Sequence, residues 1–437
     1  MALMKLWVCF TAFCSVVFCA SLLWTYKIQS RVFENKRQQQ IRYVEYIPST
    51  TSITEMEPVA NQASTDGFTV TRTLTSKISG ESTNSAIHNT DMDPRGDAVL
   101  IVTYVRSGSS LVGELFNQNP DAFYMFEPTH ELDRASMKRH LTYTDNSQRT
   151  MESTGLPKKE FMTDVVKNLI SCDFTKVPVN VLAPESPSHW FFIALGRHIH
   201  LRTYASCILK YNTTAEDIQC IPLIKRACDK SFKAFKIVVL RMTDLEPILR
   251  QFERVKILYL VRDPRASILS MRKYKLIRPV TLQKCNMTCE IVKRCKEHMI
   301  PDLVARDRLQ SRFPGRIMTL RYEDLADNPI AYADKIYEFI GREMPANVRE
   351  WLVNTTSGKI EGDVMSDPYG TSRVNSSQTA HQWERTIQPS LGVEVDSYCG
   401  EVIQKLGYES FANIQSRKSQ ERLRKDGQSN RVQSNAK

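Results

Sequence analysis

Residues 97–119 read DAVLIVTYVRSGSSLVGELFNQN, and this stretch decides the fold. The run 98–102 is apolar and rich in β-branched side chains, Gly108 frees the backbone to turn, and Leu111, Val112, Leu115 and Phe116 recur at helical spacing. The expectation is a buried strand, a tight turn of small residues, and a helix beginning near Ser109. A helix placed there aims its unpaired N–H groups and the positive end of its dipole into the turn, which makes the turn an anion cradle. Hydroxyls of Ser107, Ser109 and Ser110 add donors, and Arg106 adds a charge that persists at any physiological pH. The pattern GxxxxGK[ST] is absent, so the lysine and magnesium-binding hydroxyl that serve phosphoryl transfer are missing.

Residues 255–272, VKILYLVRDPRASILSMR, repeat the plan: an apolar strand at 256–261, a polar turn, and a helix. Asp263 suits the N-cap and Pro264 the first helical position. Arg262 stands just before the first turn and Ser270 about two turns along, so both reach one phosphate only if a ligand lies alongside the helix.

Together the two segments resemble the donor-binding loops of sulfotransferases. NQNPDAFYMFEP at 117–128, RYEDL at 321–325, NTTSG at 354–358, and the region from Trp383 through Cys399 to LGYE at 406–409 are similar to the Golgi carbohydrate 6-O-sulfotransferases. Those enzymes sulfate the primary hydroxyl of galactose, N-acetylgalactosamine or N-acetylglucosamine in glycans such as keratan and chondroitin. The resemblance implies 3′-phosphoadenosine 5′-phosphosulfate as co-substrate, with no metal. It assigns Arg106, Ser107, Gly108, Ser109 and Ser110 to the 5′-phosphosulfate, and Arg262, Asp263, Arg265 and Ser270 to the 3′-phosphate end. It further implies a glycan or glycosaminoglycan acceptor, and a single-pass type II protein of the Golgi membrane with its catalytic domain in the lumen.

Sulfuryl transfer, by analogy with phosphoryl transfer, needs in-line positioning and stabilisation of equatorial oxygens. Arg106 and the N–H groups of the turn fit that task. A sugar hydroxyl also needs a proton acceptor. Glu127, at the end of an expected strand and sheltered by aromatics and prolines, is the leading candidate, because desolvation raises a carboxylate pKa. His130, three residues on, is its competitor. A structural carboxylate at Glu127 is the alternative to both. Arg321 and Glu323 fit a buried ion pair at the sheet edge. Trp383 fits either a stacking partner for sugar or adenine or a core position.

Residues 6–26 carry no charge and are bracketed by Lys5 and Lys27, long enough for one transmembrane anchor behind a short cytoplasmic tail at 1–5. A cleaved signal peptide is the competing reading. Lys27, Arg31, Lys36 and Arg37 follow the segment, and by charge alone that side would face the cytosol. Two features override the charge count. Asn212, Asn286, Asn354 and Asn375 open glycosylation sequons, and Cys172, Cys207, Cys220, Cys228, Cys285, Cys289, Cys295 and Cys399 lie beyond the anchor in an even number. Eight thiols allow 105 pairings, and spacing selects none. No CxxC pair exists, which argues against zinc.

Residues 27–96 are rich in Ser, Thr and Asn and read as a stem. Residues 97–412 read as one lumenal α/β domain, a mainly parallel sheet flanked by helices, with ligands at the carboxyl ends of its strands. Further strands are expected at 122–126, 235–240 and 316–321, and helices at 245–252, 298–312 and 330–340. Residues 413–437 read as a basic, disordered tail. The net charge of +11 favours anionic partners, and a multiply charged donor with a sulfated or sialylated acceptor accounts for it. No nucleic-acid-binding module is present, so nucleic acid is excluded as a partner. The sequence leaves oligomeric state open. Two rival functions are a membrane-anchored phosphoryl-transfer enzyme, opposed by the missing lysine–hydroxyl pair, and a donor-dead glycan-binding protein, opposed by the intact Arg106, Ser110, Arg262 and Ser270.

Overall fold

The computed structural model describes residues 96–183, 199–208, 210–211, 214–274, 287–357 and 375–434. Strand β1, Ala98–Thr103, is buried along its whole length, as a near-continuous apolar strand in a parallel sheet must be. Its side chains alternate between two cores: Leu100 and Val102 enter the larger, Val99 and Ile101 the smaller. β2 is Ala122–Phe126, and β3 (His140–Thr142) and β4 (Gln148–Thr150) form a separate antiparallel hairpin. β5 is Phe232–Ile237, β6 Lys256–Val261 and β7 Ile317–Arg321. The main sheet runs β2-β5-β1-β6-β7, with every pair parallel.

In this order β1 lies at the centre. The chain leaves it toward β2 and β5 on one flank and later reaches β6 and β7 on the other, which is where such sheets open a ligand crevice. The helices used below are α1 (Ser109–Asn117), α2 (Pro264–Lys273), α3 (Ile300–Arg312), α4 (Pro389–Lys405) and α5 (Phe411–Ser434).

Most expected elements are present within a residue or two. The strand expected at 235–240 instead occupies Phe232–Ile237. The reason lies in Lys233, which is buried within the part of the strand that the expectation left out. A reading that treats lysine as exposed slides the strand onto the apolar run that follows. The helix expected at 298–312 begins at Ile300 and is entered through a π-helical turn, Lys293–Met299.

The tail is a second correction. Residues expected to be disordered beyond 413 continue α5, whose Phe411 and Ile414 are buried. The Phe411 N–H donates to Asp396 at 2.6 Å and Lys418 Nζ to the Glu384 carbonyl at 2.5 Å. Two apolar anchors and these bonds dock its first turns, which net charge alone does not reveal.

Disulfides join Cys172 to Cys228, Cys207 to Cys220, and Cys295 to Cys399, and Cys289 is disulfide-bonded as well. The third ties the π-helical turn to α4. Asn354 lies in the last turn of the helix Ala346–Thr356, and exposed Asn375 caps Ser376–His381 by accepting from the Gln378 N–H at 2.8 Å. Asn212, Asn286, the span 6–26 and the stem up to residue 95 lie outside the described residues. Among the described residues no helix is long and apolar enough to cross a membrane.

Candidate functional site

The carboxyl end of β1 runs into the loop 104–108 and then α1. Gly108 caps α1 with φ +82°, and a Cβ there would stand 2.0 Å from the Tyr322 ring. Only glycine fits both the left-handed backbone and that contact. The first intrahelical bonds run from the N–H groups of Leu111 and Val112 to the Gly108 carbonyl, at 3.1 and 3.5 Å. The N–H groups of Ser109 and Ser110 therefore face off the helix end. Ser107 and Ser109 are buried, while Gly108 and Ser110 stay partly exposed.

Arg106 itself has φ +68°, and Glu127 has φ +50°. Left-handed backbone is uncommon for such residues and concentrates where function constrains the chain. Arg106 Nε donates to Ser270 Oγ at 2.9 Å, and the guanidinium lies 4.4 Å from the Tyr274 ring centroid. The Arg106 carbonyl accepts from Arg262 Nη1 at 3.1 Å. Residues 164 and 156 positions apart thus bind the two segments into one site.

The second segment is built differently. Asp263 caps α2 through the Arg265 N–H at 2.8 Å, as its sequence position implied. Arg265, expected to face a ligand, is instead fully buried. Its Nε and Nη2 donate to the two Asp263 oxygens at 3.0 and 2.7 Å, its Nη1 to Asp396 at 3.0 Å and its Nη2 to the Glu409 carbonyl at 2.7 Å. The assignments of Asp263 and Arg265 to a ligand are therefore corrected: the carboxylate closes the helix end and the guanidinium neutralises it. Trp383 takes the core alternative, beneath Arg265 with 4.8 Å from ring centroid to guanidinium.

Arg262 remains for the ligand side. It stacks on Tyr322 at 4.7 Å, and its Nε, shut from solvent, meets no hydrogen-bond partner among the described residues. The nearest carboxylate oxygen, on Glu323, is 4.0 Å away. Arg262 Nη1 meets the carbonyl of Arg106, whose own side chain holds Ser270, so the two arginines and the serine lie in one network that a phosphate could join.

Glu323 does not pair with Arg321, contrary to expectation. Its oxygens accept from the Asp263 N–H at 3.1 Å and the Tyr408 hydroxyl at 2.8 Å, while Arg321 stacks on Tyr408 and approaches Asp324 at 3.6 Å. Burial pushes the Glu323 carboxyl above the usual range, against the pull of Arg262.

At the end of β2 the carboxylate expected to act as base is found paired. Glu127 Oε1 lies 2.8 Å from Lys236 Nζ, a β5 side chain that is nearly inaccessible and packs 3.8 Å from the Phe126 ring centroid. Burial holds the Lys236 ammonium below its ordinary range; Glu127 opposes that shift and Arg106 adds to it. The other Glu127 oxygen is 3.7 Å from His130 Nδ1, which is buried, while the imidazole as a whole is 44% exposed. Lys236 escaped the sequence reading, although a lysine set among the apolar neighbours Ala234, Phe235 and Ile237 was a usable signal. Tyr274 and Tyr322, the aromatic floors under the two arginines, escaped it too.

A sulfotransferase domain family model matches residues 96–407. The chain belongs to this family. It is similar to carbohydrate sulfotransferase 1 of Rattus norvegicus, 28% identical over 333 residues that cover 71% of this chain and 79% of the relative. It is likewise similar to carbohydrate sulfotransferase 3 of Tetronarce californica, 28% identical over 342 residues that cover 71% and 72%. Among solved structures, the sulfotransferase domain from the curacin biosynthetic pathway aligns over 72% of this chain and 98% of its own at 19% identity and a TM-score of 0.42.

Proposed function

We propose that this sulfotransferase moves a sulfuryl group from 3′-phosphoadenosine 5′-phosphosulfate to the 6-hydroxyl of a galactose, N-acetylgalactosamine or N-acetylglucosamine residue in a glycan. The observation that carries the reading is the pair of bonds joining Arg106 to Ser270 and Arg262 to the Arg106 carbonyl, which unites two phosphate-type loops over the adjacent strands β1 and β6. The similarity to enzymes named carbohydrate sulfotransferases supports a sugar acceptor.

In this mechanism the N–H groups at the start of α1 and the Arg106 guanidinium hold the 5′-phosphosulfate, and Arg262 with Ser270 holds the 3′-phosphate. The acceptor oxygen attacks sulfur, the bond from sulfur to the bridging phosphate oxygen breaks, and Arg106 offsets charge growing on that oxygen. The acceptor proton passes to a base on the β2 flank. In this reading Glu127 is engaged by Lys236, and His130, whose Nδ1 lies 3.7 Å from the other Glu127 oxygen, serves as the proton acceptor. Residues 6–26 would anchor the protein, type II, in the Golgi membrane with this domain in the lumen.

The test is transfer from sulfur-labelled donor, by the full chain and without added metal, to a panel of keratan, chondroitin and N-acetylglucosamine acceptors. Label in the 6-position of one of them is expected. Donor binding with no transfer to any acceptor would replace this reading with a binding role.

A further inference from the structure

Residues 406–409, LGYE, follow α4 and form a strap against the second donor loop. The Leu406 and Tyr408 N–H groups donate to the Val402 and Ile403 carbonyls at 3.0 and 2.9 Å, and Gly407, at φ +71°, turns the chain back. The strap then bonds to both elements beside that loop. Arg321 Nη1, at the end of β7, donates to the Leu406 and Gly407 carbonyls at 3.3 and 3.1 Å, with the guanidinium 4.3 Å from the Tyr408 ring centroid. Arg265 Nη2, in α2, donates to the Glu409 carbonyl at 2.7 Å.

Between these two ties, the Tyr408 hydroxyl donates to Glu323 Oε2 at 2.8 Å. Burial and then the Glu323 charge hold the phenol well above its ordinary pKa, so the proton stays on and the bond keeps this direction. The other Glu323 oxygen accepts from the Asp263 N–H at 3.1 Å, and that N–H belongs to the peptide bond joining Arg262 to Asp263. Arg262 Nε lies 4.0 Å from the same oxygen, and the ring of Tyr322, one residue before Glu323, stacks on the guanidinium at 4.7 Å. Glu323 and Tyr322 thus brace Arg262 through its backbone and its ring-facing side. Glu323 is only 3% exposed, so water does little to fix its orientation. Tyr408 fixes it instead.

We propose that Tyr408 is a positioning residue for the sulfuryl donor: by holding Glu323 it pins the peptide that follows Arg262, and so sets that guanidinium where a 3′-phosphate is read. Tyr408 acts through Glu323 and not on the ligand. The inference rests on the donor proposed above, and it adds to the donor site a residue from beyond α4 that neither loop contains.

The experiment titrates the full-length chain and its Tyr408→Phe, Arg262→Ala and double variants with 3′-phosphoadenosine 5′-phosphate and with adenosine 5′-phosphate, which lacks the 3′-group. Donor KM and kcat are measured on the acceptor panel above. Tyr408→Phe keeps the ring on Arg321 and removes one hydroxyl. It is expected to weaken the 3′-phosphorylated ligand by about three- to tenfold, to leave adenosine 5′-phosphate within about twofold, and to raise donor KM with kcat at saturation within about twofold. In the Arg262→Ala background the same substitution should cost no further affinity, because the residue through which it acts is gone. Equal weakening of both ligands, a fully additive loss in the double variant, or a Tyr408→Phe chain that melts far below wild type gives Tyr408 a role in the fold alone and overturns the proposal. A wild-type preference for the 3′-phosphorylated ligand that Tyr408→Phe leaves intact overturns this inference and spares the donor reading. A wild type that binds the two ligands equally overturns both.

Discussion

The two strand–turn–helix units at the centre of the sheet share a plan and differ at the helix cap. In the first, glycine caps α1, no side chain closes its end, and the backbone N–H groups stay available to an anion. In the second, Asp263 caps α2 and Arg265 neutralises it from the core, so the helix end is already satisfied. Only side chains, Arg262 and Ser270, are left to meet a ligand there. The lesson is that a helix N-terminus after a strand does not by itself make a phosphate site; the cap decides whether the dipole is open or spent.

Asp263→Ala tests this division most severely. It leaves the buried Arg265 with Asp396 as its remaining carboxylate and the Glu409 carbonyl, and a stability loss of about 3–5 kcal/mol is expected in denaturant unfolding. An unchanged midpoint with weakened donor binding would mean that Asp263 serves the ligand after all. Arg106→Ala, in the open unit, should leave the fold intact and lower kcat about 10²–10³-fold in steady-state assays.

Gly108→Ala brings a Cβ against Tyr322 at a left-handed position, and about 2–4 kcal/mol of stability should be lost together with donor affinity. Calorimetry and donor titration check it, and Gly155→Ala, at φ +70° with open space around it, isolates the backbone part of the effect. Arg262→Ala should weaken donor binding about tenfold or more while the melting temperature holds, since its side chain closes no helix end.

The smallest effect concerns what lies beneath the open unit. Burial raises the Asp302 pKa to about 6, above its unfolded value near 3.8. The native state therefore holds the proton more tightly, so this contribution to stability is full below about pH 4 and is lost as pH rises through 6. Unfolding free energy should fall by no more than about 1.4 kcal/mol per pH unit across that window, and Asp302→Asn should flatten the profile.

Several features were legible because they are local. The apolar runs of β1, β2 and β6, the glycine turn, and the Asp263–Pro264 cap follow from neighbours a few residues away, and the structure has them at the expected positions. The errors share a cause as well. Lys233 shifted β5 because pattern reading scores lysine as solvent-facing, and Lys236 went unread as a site residue because its partner, Glu127, lies 109 positions earlier in the chain.

What the sequence determined alone was the pair of strand–turn–helix units, and with them the family and the crevice at the edge of a parallel sheet, since backbone freedom, capping and hydrophobic periodicity act over one or two turns. Which charged side chains face that crevice was decided only by tertiary structure. Arg265 turns inward, Lys236 captures Glu127, and Arg106 reaches Ser270, because each choice depends on the burial and charge of partners that the chain brings together only on folding.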